Sequence, residues 1–81
     1  MTTIYIRLLD EGTEVFRPTL AKVLAGNRFK VLPTPDYDPD DERWEFLPGS
    51  VVCSEKRKLG GDEVLIAVGL NYDGGRNDLS V

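Results

Sequence analysis

The chain has 81 residues, 41% hydrophobic and 30% charged, with 14 acids against 10 bases; that suits one small domain burying about 60–65% of its unfolded surface. No apolar run approaches the roughly 20 residues of a membrane-spanning helix, and residues 1–7 lack the pattern of a secretory signal, so a soluble cytoplasmic protein is expected. Histidine is absent, which removes the commonest acid–base catalyst and metal ligand, and the single cysteine, Cys53, excludes any disulfide within the chain.

In chain order, residues 3–9 alternate, with Ile4, Ile6 and Leu8 on one face and Tyr5, Arg7 and Leu9 on the other, as a strand with one buried side should. Asp10, Glu11, Gly12 and Thr13 then supply turn chemistry. Residues 14–24 are ambiguous. Pro18 could open a short helix over 18–25, with Leu20, Val23 and Leu24 on one side and Gly26 past its end. Against that, Ala25, Gly26 and Asn27 form a hairpin-like turn, and the alternation of residues 28–32 favours two antiparallel strands joined there. The hairpin is the preferred reading, with Pro18 at an edge or bulge because it cannot donate a ladder hydrogen bond.

Residues 33–44, PTPDYDPDDERW, hold three prolines and five carboxylates and carry the whole charge imbalance: outside them the chain has nine acids and nine bases. Next, Pro48 and Gly49 suit a type II turn. A strand from Ser50 through Val51, Val52 and Cys53 turns polar at residues 54–58, as if one end projects beyond the core. Gly60 and Gly61 close a hairpin, and residues 63–68 form a short β-branched run expected to be a strand buried on both sides. Residues 71–81 are rich in Gly, Asn and Asp, with few apolar groups to offset ordering entropy, and read as a flexible tail.

Five short strands in a chain of this size predict an all-β fold: a single small SH3-like antiparallel barrel over residues 1–70 followed by the tail at 71–81, the alternative being α+β with the short helix at 18–25.

The acidic loop is the best candidate for a binding face, since loops on a rigid scaffold are where binding residues concentrate. Asp36, Asp38, Asp40, Asp41 and Glu42 are expected to steer and contact a basic protein partner, with Tyr37 as an exposed aromatic beside them. Trp44 is a further contact candidate, although the only tryptophan of so small a domain is better used as core or cap. The alternation of Asp36, Asp38 and Asp40 suggests calcium, but the sixth position is Asp41 rather than glycine and the twelfth is Leu47 rather than glutamate, so no metal site is expected. Gly60-Gly61-Asp62 is too short to cradle a phosphate, and no cofactor is expected.

Lys56, Arg57 and Lys58 form the single basic cluster and the alternative reading, a nucleic-acid-associated barrel. A net charge of −4 and a pI near 4.6 argue against that footprint. Catalysis has little support: there is no histidine, no G-x-S-x-G and no base to partner Cys53. A non-catalytic interaction module is therefore expected.

The stretches LLDEGTEVFRP at residues 8–18 and WEFLPGSVV at residues 44–52 resemble a group of small uncharacterised bacterial proteins that share an LLDEGTxV[FW]RP opening. That group is similar in layout to SH3-like barrels. The resemblance reaches to about Val68; it implies the fold, and brings no activity, ligand or functional residue with it.

Overall fold

Strict alternation of apolar and polar residues sets the first strand, β1, at Thr2–Leu8. Ile4, Ile6 and Leu8 are buried while Thr3 and Arg7 are exposed, the period-two pattern of a sheet with one wet face. The computed structural model describes residues 1–70, and over them four further strands follow: β2 (Val15–Val23), β3 (Arg28–Val31), β4 (Val51–Leu59) and β5 (Asp62–Leu70). They form a closed barrel in the order β1-β2-β3-β4-β5, with each strand beside its chain neighbours. This is a small all-β barrel consistent with the SH3-like layout. The flexible tail expected at 71–81 lies outside the described residues.

The hairpin reading of residues 15–31 holds, and no helix forms at 18–25. Ala21 pairs with Val31 and Val23 with Phe29. Pro18 lies opposite Tyr5 of β1 in the part of β2 that has no β3 partner, so its missing N–H costs no ladder bond. In the turn, Asn27 Nδ2 donates to the Ser54 carbonyl at 2.7 Å and Ser54 Oγ bonds Asn27 Oδ1 at 2.9 Å. That reciprocal clamp fastens the β2–β3 corner to β4 and satisfies the buried Ser54 hydroxyl.

Both anticipated glycine turns are present. Gly49 has φ of 94° and Ser50 N donates to the Leu47 carbonyl at 3.0 Å, the arrangement of a type II turn with Pro48 at its first corner. Gly60 and Gly61 have φ of 58° and 92°. Two positive values between the paired Leu59 and Asp62 are what a two-residue type I′ hairpin requires.

Consecutive strands run antiparallel, and β1 meets β5 in parallel at Tyr5 opposite Ile66. An odd number of alternating strands leaves the first and last pointing the same way, so the closing seam has to be parallel. β5 bends near that seam: Cys53 pairs with Gly69 and Ser54 with Ala67, which makes Val68 the extra residue of a bulge. The two-sided burial expected for β5 is confined to its centre, where Ile66 and Ala67 are both buried while Val68 is 45% exposed.

The core combines Ile4, Ile6, Ala21, Val31 and Val52 with the aromatics Phe29, Trp44 and Phe46. Ile6 is fully enclosed whereas Leu20 is 51% exposed on the outer face. Ile6→Ala is expected to cost about 2–5 kcal/mol, a large share of the stability of so small a domain, and Leu20→Ala no more than about 0.5 kcal/mol. Urea unfolding of the two variants checks this; equal costs would contradict the assigned faces of β1 and β2.

Candidate functional site

The sequence Thr34-Pro35-Asp36-Tyr37 forms a turn closed by Tyr37 N donating to the Thr34 carbonyl at 3.0 Å. The next four residues, Asp38-Pro39-Asp40-Asp41, repeat it, with Asp41 N donating to the Asp38 carbonyl at 3.0 Å and Asp40 N to Asp38 Oδ1 at 2.9 Å. Each turn puts proline at its second position, where a preset φ is favourable, and aspartate at the third; the second turn also has aspartate at its start. The acidic loop is thus two rigid Pro-Asp turns in tandem, and Asp36, Asp38, Asp40 and Asp41 all stand exposed on them.

The return leg of the loop is built into the barrel. Leu9 N donates to the Arg43 carbonyl at 2.7 Å and Glu45 N to the Arg7 carbonyl at 2.9 Å, flanking a bridge between Leu8 and Trp44. Residues 43–45 thereby extend the sheet along the far end of β1. Trp44 is inserted into the core at 3% exposure, as its apolar area favours.

One expectation is corrected here, and of the two readings of Trp44 the preferred one, core or cap, is the one observed. Tyr37 is not an exposed aromatic: it packs against the core and meets Trp44 edge-to-face at 4.8 Å between ring centroids, an arrangement that adds to simple burial. Trp44, for its part, lies beneath the loop and has no surface to offer a partner.

Glu42 is also committed within the chain. Its carboxylate is gripped by Arg17 of β2 through two guanidinium nitrogens and accepts a hydrogen bond from Trp44 Nε1 at 3.2 Å. The Arg17 hydrogen bond, helped by that of Trp44, holds the Glu42 carboxyl below the usual carboxylate range against the opposing effect of burial. The same bond raises Arg17. Arg17 lines a shallow cup together with Asp36, Asp38, Asp41 and Glu42, and its bond to Glu42 joins residues 25 apart in the chain. Sequence reasoning missed Arg17; its place on the inward-facing row of β2, with Thr19 and Ala21, was the available signal. Among the described residues no group of three or more potential ligands is arranged to hold a metal ion.

The basic cluster is divided by the strand that carries it. Lys56 and Lys58 lie across from Leu65 and Glu63, while Arg57 lies across from Val64 on the opposite face. Arg57 Nε also bonds Glu55 at 2.8 Å. The three cations do not form one patch.

No helix among the described residues is long and apolar enough to cross a membrane. No protein family, curated protein or solved structure matches the chain.

Because its carboxyl is depressed on folding, Glu42 contributes stability that is present above the unfolded carboxylate value of about 4.3 and is lost as pH falls through the lower folded value. Arg17 keeps 44% of its side chain exposed, so the pair is partly screened. Glu42→Gln is expected to cost about 1 kcal/mol or less at pH 7, lowering Tm by up to about 4–8 °C, and to reduce the loss of stability between pH 5 and pH 3. Thermal melts at both pH values check this, and an unchanged acid limb would contradict it.

Proposed function

We propose that this barrel is a non-catalytic cytoplasmic interaction module that presents the acidic turns to a basic segment of a protein partner. The observation that carries the reading is a depression lined by four carboxylates, those of Asp36, Asp38, Asp41 and Glu42, and by Arg17, whose guanidinium is gripped by Glu42. The chain's own arginine exemplifies the cation chemistry this surface accommodates, and three carboxylates remain in excess to attract further positive charge. Asp40 adds a fourth outside the cup.

Preorganisation supports the same assignment. The two turns are closed by their own backbone hydrogen bonds, so a partner meets carboxylates already in position and less ordering entropy opposes binding. Charged groups arranged in this way act mainly on association rate and specificity. The contact residues are Asp36, Asp38, Asp40 and Asp41, with Glu42 and Trp44 holding the turns in place and Tyr37 packed between loop and core.

Replacing the four aspartates together by asparagine keeps the Oδ1 that caps the second turn and removes the charge. The variant is expected to bind a fluorescent Lys/Arg-rich peptide about tenfold or more weakly, to lose most of the salt dependence of binding, and to melt at nearly the wild-type temperature. Equal affinity of both proteins for the peptide would reject the acidic face.

A further inference from the structure

The β2–β3 hairpin has an outer face of its own. Ala21 and Val31 pair across it and are fully enclosed, so their neighbours Leu20, Lys22, Lys30 and Leu32 turn to the opposite, solvent side of the sheet. There Lys22 lies directly across from Lys30, about 4.5–5.5 Å away at Cβ. One step along the ladder Leu32 N donates to the Leu20 carbonyl at 3.0 Å, which sets the two leucines side by side, and Val51 of β4 lies across from Lys30 on its other side. Two ammonium groups are thus bordered by three aliphatic side chains, of which Leu20 is 51% exposed. We propose that this face docks an acidic segment of a protein partner in which an aliphatic residue stands next to Asp or Glu, the carboxylate held between Lys22 and Lys30 and the aliphatic chain laid on Leu20 and Leu32.

Charge complementarity names the occupant. Residues 15–32, the whole hairpin, contain four bases and no acid, in a chain whose net charge is −4. Arg17 is taken by Glu42. Lys22 and Lys30 are both exposed, and among the described residues neither makes a hydrogen bond or ion pair through its side chain. Like charges directly opposite each other on adjacent strands are unfavourable, and a carboxylate between them replaces that repulsion with two charge-assisted hydrogen bonds. A phosphate backbone would use the lysines and leave the leucines uncovered, whereas an acidic segment carrying an aliphatic residue uses both, the apolar contact adding what screened surface charge does not. Lys30 is paired on both sides, with Lys22 and with Val51, so docking here proceeds through side chains and not by addition of a strand. The proposal does not depend on the acidic turns.

The test uses the full chain, 15N-labelled, and three peptides: acetyl-Gly-Leu-Glu-Glu-Leu-Gly-amide, the same peptide with serine for both leucines, and the same peptide with glutamine for both glutamates. The first is expected to bind about threefold or more tightly than either counterpart, to weaken as salt rises, and to shift the amides of Leu20, Lys22, Lys30 and Leu32. Replacing both lysines, Lys22→Gln with Lys30→Gln, is expected to bring the acidic peptide to the affinity of its glutamine form, the spectrum confirming an intact barrel. Wild-type affinity in that folded double variant, or equal affinity of the wild type for the glutamate and glutamine peptides, would overturn the carboxylate site. Equal affinity for the serine peptide would overturn the role of Leu20 and Leu32. Octanoate binding as tightly as the peptide, with the same amides shifted, would overturn the peptide as occupant and assign the face to a free aliphatic carboxylate. Failure of the first peptide to bind would reject the proposal and leave the acidic face standing.

Discussion

A ribbon of five alternating strands closes only by bringing its first and last strands together in parallel, and in this barrel that seam is a single paired position, Tyr5 with Ile66. Past it β1 has no further pairing with β5. The gap is filled by residues 43–45, which pair with the far end of β1 and drive Trp44 into the core. Trp44 thus supplies at one point the apolar volume and, through its flanking backbone, the hydrogen bonds that the seam lacks. Tyr37 leans on its ring and Glu42 accepts its indole N–H. The acidic turns are therefore held in place by the same residue that completes the barrel.

That arrangement separates the groups that hold from the groups that face solvent. Within residues 33–44, Tyr37, Glu42 and Trp44 are committed to the chain itself, and Arg43 reaches Asp10 at 2.8 Å. Asp36, Asp38, Asp40 and Asp41 are left on two turns that need no partner to form. Their spacing comes from repetition of the same Pro-Asp unit, so a set of like charges is kept close at the cost of mutual repulsion, which Arg17, on the wall of the cup, offsets at Asp36.

The fold was largely legible because its determinants are local. The alternation of Ile4, Ile6 and Leu8 set the inner face of β1, and Pro48-Gly49 and Gly60-Gly61 marked turns whose glycines have positive φ. The candidate site was legible in location and less so in detail. Tyr37 sits among Asp and Pro, where nothing local announces burial, and its partner Trp44 is brought back to it only by pairing with β1. The Arg17–Glu42 grip joins residues 25 apart and has no periodic signature. Two features could have been read and were not: the tandem Pro-Asp turns, and the division of Lys56 and Lys58 from Arg57, which follows from strand alternation alone.

The dependence of the acidic turns on the barrel is tested most directly by native-state hydrogen exchange at the amides of Leu9 and Glu45, the two that hold the return leg against β1. If residues 43–45 belong to the same cooperative unit as the core, these amides will exchange with the opening free energy found for β-ladder amides of Ile6 and Val52. Rapid exchange at Leu9 and Glu45 while those core amides remain protected would show that the loop and Trp44 open independently of the barrel, and would contradict the account.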